Sequence, residues 1–257
     1  MIPTNIEKNT IQSVDRTFRI IEVIQERQGA TLQELDSEFD IAKSTIHRHL
    51  NTLQKHGYVT REGSIYYIGL RFLDPAIHAQ RRKSVYRLIE PKVDRLADET
   101  GERAQFITSE NGLGIHIFSK VGENGIQSES RVGKLVYLHT TSVGKSILAS
   151  LPKADVEAIL DRYGLPELTS NTITDREELY QALDEIRRQR YATNKAERRE
   201  GMMAIGTAVT TPDESVIGGI SVTGPQRRMQ EEHMEYLPDR LLDIAEEIRL
   251  RLEYPQS

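Results

Sequence analysis

The run IAKSTIHRHLNTLQKHGYV, residues 41–59, constrains the fold more than any other part of the chain. Ile46, Leu50 and Leu53 recur at helical spacing and form one apolar stripe, which predicts a short amphipathic helix packed on a core. Two β-favouring runs follow at residues 58–61 and 65–68, and Gly63 between them suits a tight turn. The pattern therefore predicts a helix that leads directly into a β-hairpin.

Two further helices are predicted before this one. The first, at residues 13–29, has four apolar residues near helical spacing: Val14, Phe18, Ile21 and Ile24. Ser13 can cap its start and Gly29 can end it. The second, TLQELDSEF at residues 31–39, has Thr31 as a plausible N-cap. Helix, helix, turn, helix and hairpin is the order of a winged helix-turn-helix domain.

The predicted third helix presents hydrogen-bonding groups on its outward face. The net charge of the chain is −5, but residues 42–61 carry four bases and no acid, so this segment forms a local basic surface. Arginine and asparagine side chains can bind base edges in the major groove, and lysine or arginine nearby can bind phosphate. The candidate DNA-contacting residues are Lys43, Ser44, Thr45, His47, Arg48, Asn51, Lys55 and Arg61. A winged helix used only for protein contacts is the alternative.

Residues 70–99 are helical in pattern but contain Pro75 and Pro91, so two helices are expected to meet near residues 80–84. The first would link two domains. A stripe near one side of it is the expected dimer contact: Leu70, Leu73, Ile77 and Val85.

Beyond Thr100 the pattern predicts an α+β domain built on an antiparallel sheet. Strand-like runs lie at residues 103–110, 114–121, 126–132, 203–211 and 215–224. Helical patterns lie at about residues 143–150, 153–162, 175–189 and 228–252, and Pro238 in the last marks a kink or a late start. The expected domains are a winged helix-turn-helix at residues 10–70, a linker helix at 71–84 and a larger domain at 85–254.

These segments together resemble IclR-type transcriptional regulators. The resemblance starts with STIHRHLNTLQKHGYV and the hairpin ending YYIGL. It continues through LHTTSVGKSILASLP and ERREGMMAIGTAVTTPDESVIGGISVTGP, and it spans about residues 10–254 in the family order. It implies a DNA-binding N-terminal domain and a GAF-like C-terminal domain that binds a small molecule. It also implies dimers or tetramers and control of catabolic genes.

HTTSVGKS, residues 139–146, ends like a phosphate-binding loop, but His139 stands where that motif needs its first glycine. An NTPase is therefore not predicted. The run gathers the hydroxyls of Thr140, Thr141 and Ser142 where a helix begins, and such an end attracts anions through its dipole and unpaired N–H groups. Simple capping of the helix by Ser142 is the alternative.

GGISVTG, residues 218–224, nearly matches a nucleophile elbow, but Thr223 replaces a required glycine. On a strand, Ser221 and Thr223 share one face, while Ile220 and Val222 lie on the other. Two hydroxyls on one face suit the floor of a pocket; an exposed strand face is the alternative.

The family resemblance implies a specific set of effector-binding residues: Val136, Ser142, Val143, Asn194, Met202, Ala204, Ser221 and Thr223. Asn194 departs from the family, in which an acidic residue is common at this position. Arginine is absent from the set, so the expected effector is a small anion: an organic, sugar or aromatic acid.

Composition narrows the remaining possibilities. The chain has no cysteine, and its histidines show no metal-ligand spacing, so neither a metal nor a cofactor is expected. No apolar run is long enough to span a membrane, and the N-terminus lacks a signal-peptide pattern, which favours a cytoplasmic protein without a membrane partner. The expected partners are a palindromic DNA operator, a second copy of the chain and a small effector. An enzyme that binds a small molecule is the alternative, although no nucleophile–base pair is visible.

Overall fold

The computed structural model describes residues 10–126 and 131–254. This part of the chain divides into two compact units, of which the first ends at Lys83 and the second begins at Ser84.

The first unit is a winged helix-turn-helix, as the sequence predicts. Its elements are α1 (Gln12–Glu26), β1 (Ala30–Thr31), α2 (Leu32–Glu38), α3 (Lys43–Lys55), β2 (Val59–Glu62) and β3 (Ile65–Ile68). The antiparallel sheet has the order β1-β3-β2, and the short strand β1 was not predicted. The predicted cap at Thr31 is confirmed, because its hydroxyl accepts from the Glu34 N–H and the Glu34 carboxylate accepts from the Thr31 N–H.

The buried face of α1 differs from the predicted one. Ile20, Val23 and Ile24 are buried, whereas Val14 and Phe18 are exposed, Phe18 by 60%. At about 100° per residue, Phe18 lies about 140° around the helix from Val23 and therefore points away from the core. The prediction that Ser13 caps this helix is also wrong. Ile11 occupies the cap position and makes no side-chain cap bond.

The predicted linker begins with a 3₁₀ turn at Leu70–Phe72 and continues as α4 (Leu73–Gln80). Leu70, Leu73 and Ile77 are exposed in the described chain. Val85 is instead buried in the core of the second unit, so the prediction that it shares an apolar side with the other three is wrong. The chain leaves the helical pattern after Gln80, and this separates Val85 from the stripe.

The second unit is an α+β domain on a six-stranded antiparallel sheet of order β6-β5-β4-β9-β8-β7, which confirms the predicted fold class. Its strands are β4 (Arg103–Glu110), β5 (Leu113–Val121), β6 (Leu135–Tyr137), β7 (Ala192–Lys195), β8 (Met202–Thr210) and β9 (Val216–Pro225). Its helices are α5 (Tyr86–Thr100), α6 (Ser142–Ala149), α7 (Lys153–Tyr163), α8 (Arg176–Gln189), α9 (Gln226–Arg228) and α10 (Leu237–Glu253).

The structure adds two strands to the predicted ones and shortens one predicted helix, while one predicted strand lies mostly outside the described residues. The edge strands β6 and β7 were missed because each has only three or four residues. The predicted strand at 126–132 falls largely on residues 127–130, which lie outside the described residues, and its described flanks are not in a strand. The predicted helix at 228–252 is broken: a π-helical turn occupies Met229–His233, and α10 starts at Leu237 with Pro238 in its first turn.

The sheet of the second unit separates two apolar cores. Phe106, Ile205 and Val222 belong to the core that α5 and α10 cover. Ile107 and Ala192, on the opposite face, belong to the core that α6, α7 and α8 cover. This alternation places residues 103, 105 and 107 of β4 on the face toward α6, and Ser221 and Thr223 of β9 lie on that same face. Among the described residues, no helix is both long and apolar enough to cross a membrane.

Candidate functional site

Helix α3 exposes the predicted DNA-contacting face. Ile46, Leu50 and Leu53 are buried, which confirms the predicted apolar stripe. The predicted contact residues Lys43, Ser44, His47, Arg48, Asn51, Lys55 and Arg61 are exposed, and Thr45 is half-buried. No acidic residue lies in the first turn of α3, so the partial positive charge of the helix N-terminus is not neutralised there.

The side chains on this face make only light contacts with one another. The Arg48 guanidinium donates to Thr45 Oγ1 at 3.4 Å, and the Asn51 amide lies 3.3 Å from His47 Nδ1. On the hairpin, Arg61 stacks 5.3 Å from the centre of the Tyr66 ring and donates to the Gly63 carbonyl at 2.9 Å. The hairpin arginine is thus held in place, while the α3 side chains remain accessible to a ligand.

A contact that the sequence did not predict fixes α3 against α1. The Thr17 hydroxyl lies 2.8 Å from His49 Nδ1, across two helices. Burial, together with Arg16 and Arg48, lowers the pKa of His49 and so favours the neutral imidazole. This pair orients α3 against α1.

The run HTTSVGKS forms the start of α6, and its residues are used structurally. Thr141, not Ser142, is the cap: its hydroxyl accepts from the Gly144 N–H at 2.9 Å. A Cβ on Gly144 would lie 2.0 Å from the Leu138 carbonyl oxygen, so only glycine fits. The Lys145 ammonium donates to both carboxylate oxygens of Glu197, at 2.6 and 2.5 Å. Ser146 Oγ donates to the Gly206 carbonyl at 3.1 Å. The glycine, lysine and serine of this run therefore serve packing, an internal ion pair and a hydrogen bond to β8, not a phosphate loop.

The predicted effector residues lie together on or over one face of the sheet. One row of directly paired residues runs Asn194, Ala204, Thr223 and Arg103, and the next runs Gly206, Ser221, Gln105 and Ser119. Met202 lies on the same strand face as Ala204. Val136 of β6 pairs with Gly114 of β5, at the opposite edge of the sheet from β7.

Helix α6 covers these rows closely. A Cβ on Gly206 would lie 2.9 Å from both Ser142 Oγ and Ser221 Cβ, and 3.1 Å from a Val143 methyl group. The Asn194 amide donates to the Thr140 carbonyl at 2.5 Å, which ties β7 to the segment before α6. The start of α6, the β9 hydroxyls and β7 thus converge.

Three side chains on this face were missed by the sequence reasoning: Arg103, Gln105 and His116. The Gln105 amide donates to Thr223 Oγ1 at 3.1 Å, and the Arg103 guanidinium donates to Ser119 Oγ and to the Ile126 carbonyl. His116 pairs with Ile107 across β4 and β5. The alternation of RAQFITSE already placed Arg103 and Gln105 on one face, but nothing local showed that this face is opposite α6.

The surroundings of His116 are strongly cationic. Burial, with contributions from Arg198, Arg103 and Lys134, lowers the pKa of His116 to about 3. The imidazole is therefore neutral at physiological pH. The positive charges of Arg198, Arg103 and Lys134 that act on this buried ring also favour an anion near it.

Two cavities of the described chain, of about 290 and 240 Å³, lie elsewhere. The first opens beside the C-terminal ends of α6 and α8, with Ser150, Arg187 and Arg190 in its lining, and the second lies between α5 and α10. None of the predicted effector residues lines either cavity. Within residues 10–126 and 131–254, no cluster of three or more histidine or acidic side chains has a geometry suited to a metal ion.

Comparison with known proteins identifies both units. Residues 13–63 match the IclR helix-turn-helix domain, and residues 77–250 match the bacterial transcriptional regulator IclR C-terminal domain. The chain is 34% identical to a probable HTH-type transcriptional regulator ArcR of Halobacterium salinarum, over 97% of both chains.

Solved structures agree with this assignment. The Thermotoga maritima IclR structure superposes with a TM-score of 0.79 at 27% identity, covering 95% of this chain and 100% of that one. An IclR homolog from Microbacterium hydrocarbonoxydans, solved with 4-hydroxybenzoate, shares the fold with a TM-score of 0.78 at 21% identity, covering 94% of this chain and 99% of that one. These relatives are regulators of transcription rather than enzymes, which disfavours the enzyme alternative. The chain belongs to the IclR family of DNA-binding transcriptional regulators.

Proposed function

We propose that this regulator binds a palindromic operator as a dimer or tetramer in the cytoplasm, and that a small acid modulates its control of catabolic genes. The observation that carries the first part is the exposed outward face of α3, where the predicted contact residues stand clear of the core. Ser44, Arg48 and Asn51 would contact bases or adjacent phosphate, and Lys55 and Arg61 would bind phosphate. Residues 10–70 would form the DNA-binding domain, 71–84 the linker and 85–254 the effector domain.

The experiment for DNA binding compares Arg48→Ala with the wild type on the DNA upstream of the protein's own gene. Loss of a bidentate base contact should weaken binding by about 1–3 kcal/mol, and the exposed position should leave the fold intact. Arg227→Ala is a matched control, because Arg227 is exposed on the second unit and forms an ion pair with Glu231 near the surface. Unchanged operator affinity in a folded Arg48→Ala protein removes α3 from the mechanism. Absence of any gel shift by the wild type would favour a module for protein contacts.

Assembly is supported by the exposed leucines and isoleucine of the linker. Leu70, Leu73 and Ile77 are apolar side chains left to solvent in the single chain. One winged helix buries too little DNA surface for tight specificity, whereas two copies can read half-sites about one helical turn apart. We therefore propose that the linker helices pair in the dimer.

The effector site is proposed at the face of the sheet beneath the start of α6. Ser142, Ser221 and Asn194 offer buried polar groups there, and Val136, Val143 and Ala204 are buried apolar neighbours. Met202 and Thr223, the other two residues of the set, are half-buried. The sequence alone offered no cation for this pocket; Arg103 and its cationic neighbours supply positive charge and support an acidic ligand. The complex of the Microbacterium homolog with 4-hydroxybenzoate is consistent with such a ligand class.

Calorimetry with a panel of small carboxylates tests this site. The wild type should bind at least one of them, and a Ser142→Ala, Ser221→Ala double variant should bind it more weakly, because both hydroxyls are lost. Equal binding by the two proteins would locate the effector elsewhere in the chain.

A further inference from the structure

We infer that a groove between α5 and α10 is a second ligand site, which binds the phosphate group of a small molecule. The charged side chains of this basic groove are Arg87, Lys92 and Arg95 of α5, and Glu247 and Arg251 of α10. Its cavity of about 240 Å³ is lined by none of the proposed effector residues, so the inference does not depend on the effector site.

The sequence brings bases from two helices to this groove. Arg87 and Arg95 are eight residues apart, about two helical turns, and Lys92 lies between them along α5. On α10, Arg251 follows Glu247 by four residues, about one turn, so the two side chains are neighbours on the helix surface. The groove therefore has four bases and one acid in its lining, although the net charge of the chain is −5.

Two of the bases already pair with the acid of the groove. The Lys92 ammonium and the Glu247 carboxylate lie 2.5 Å apart, and the Arg251 guanidinium lies 3.3 Å from the same carboxylate. The pKa of this carboxyl is lowered, first by the hydrogen bond from Lys92 and also by the charges of Arg251 and Arg95. Glu247 is thus held as a carboxylate, and its one negative charge cannot offset four positive ones.

The other two bases are left for a ligand. Arg87 and Arg95 are exposed, and within residues 10–126 and 131–254 neither forms an ion pair or a side-chain hydrogen bond. The four bases less the one acid give the lining a surplus of three positive charges. A groove lined mainly by one sign of charge raises the local concentration of ions of the opposite sign. The basic groove therefore favours an anion of more than one charge.

Phosphate fits this surplus better than a single carboxylate does. A phosphate monoester carries a charge of about −1.5 to −2 at neutral pH and three acceptor oxygens. An arginine side chain can donate two parallel hydrogen bonds to such a group, and the groove offers Arg87 and Arg95 without competing partners in the described chain. Leu88 and Pro91 also line the groove, and they can contact the carbon part of a phosphate ester.

The shape of the groove favours a small molecule over a DNA backbone. The Lys92 side chain is only 10% exposed, so a compact group reaches its ammonium more readily than the phosphates of a stiff double helix. The cavity is smaller than the roughly 300–1,000 Å³ typical of sites for drug-sized ligands. Inorganic phosphate or the phosphate ester of a short carbon chain is the ligand class that matches both observations.

Isothermal titration of the full-length protein with inorganic phosphate and with glycerol 3-phosphate tests the groove. Sodium chloride holds the ionic strength constant, because salt screens exposed charges. At least one of the two compounds should bind with a Kd below about 1 mM. Tighter binding of the ester than of inorganic phosphate would show that the carbon part is recognised, and equal binding would identify the phosphate group as the ligand. The Ser142→Ala, Ser221→Ala double variant should bind the same compound as the wild type does.

Three variants locate the binding. Arg95→Gln should lower the affinity about tenfold or more, because a charge-assisted hydrogen bond is lost. Glu247→Gln removes the acid of the lining and should raise the affinity about threefold or more, because its two bases become available. Arg249→Gln is the matched control: Arg249 lies on α10 and pairs with Glu246 at 2.5 Å, but it does not line the groove. It should keep the wild-type affinity.

Three results would overturn the inference. The first is that neither compound binds the wild type in the millimolar range. The second is that Arg95→Gln binds as tightly as Arg249→Gln, or that the Ser142→Ala, Ser221→Ala double variant loses phosphate binding, which would locate the ligand at the effector site. The third is that Arg95→Gln weakens operator binding while neither compound binds, which would make the groove a contact for the DNA backbone. Failure of the carboxylate titrations would remove the proposed effector site and leave the basic groove unaffected.

Discussion

Replacing Lys145 by methionine should destabilise the second unit more than any surface change of the same charge. The Lys145 and Glu197 side chains are only 5% and 10% exposed, and their charged atoms lie 2.5 Å apart. Burial lowers the pKa of Lys145 despite the attraction of Glu197, which shows that desolvation outweighs the pairing for the charged lysine. Removing one partner leaves the other charge buried and uncompensated.

The expected cost of Lys145→Met or of Glu197→Leu is about 3–5 kcal/mol, because removing one partner leaves the other charge buried without compensation for its desolvation. For a unit of this size that corresponds to a fall of about 10 °C in the unfolding temperature. The double variant Lys145→Met, Glu197→Leu should recover most of the loss, since an apolar pair of similar volume carries no such penalty.

Urea unfolding of the four proteins gives the coupling free energy directly. Arg240→Met is the matched control: Arg240 pairs with Glu99 at 2.8 and 3.0 Å but near the surface, and its loss should cost about 1 kcal/mol or less. Single variants at the buried pair that cost no more than this control, or costs that simply add in the double variant, would refute the reasoning.

Two further predictions concern pH and assembly. The folded protein holds His116 neutral with a pKa of about 3 against 6.5 in an unfolded chain, so the unfolded state binds more protons below pH 6.5. The contribution of His116 to the free energy of unfolding should be complete above pH 6.5 and should be lost as the pH falls toward 3. His116→Leu should remove about 2 kcal/mol of the loss between pH 7 and pH 5 in urea titrations, and an identical pH slope in both proteins would contradict this. Leu73→Asp with Ile77→Asp should convert the assembled protein to a monomer in light scattering at micromolar concentration, while Leu168→Asp, at another exposed position, should not. A wild-type monomer, or a variant that still assembles, would contradict the proposed linker contact.

The winged helix was predictable because its signals are local. The apolar stripe of α3, the capping residue Thr31 and the glycine of the hairpin each act within a few residues. The failure at Val14 and Phe18 has a different origin. Both residues fit a helical period, but the side of α1 that meets the core depends on α3 and the sheet. Ile20 and Val23, not Val14 and Phe18, are the residues buried in that core.

The effector site was predictable only in part, because its residues come together through distant strand pairing. Gln105 pairs directly with Ser221, which lies on β9, the last strand along the chain. The period of two on β4 shows which residues share a face, but the sheet order decides which face is opposite α6. His116 was dismissed because it had no metal-ligand spacing, and its burial among cations is visible only in three dimensions.

The placement of the proposed site on β4 connects ligand binding to the start of the second unit. Gln105 faces the site, whereas Ala104 and Phe106 on the same strand pack into the core covered by α5, where Phe106 also contacts the ring of Tyr86. Helix α5 begins at Tyr86, two residues after the boundary at Ser84. A densely packed core transmits a shift of the strand to α5 rather than absorbing it. A ligand changes this equilibrium only by its difference in affinity between two positions of the strand, and equal affinity changes nothing. We therefore expect an effector that alters DNA binding also to change the hydrogen-exchange protection of the first turns of α5. An effector that alters operator affinity without changing that protection would disprove this route.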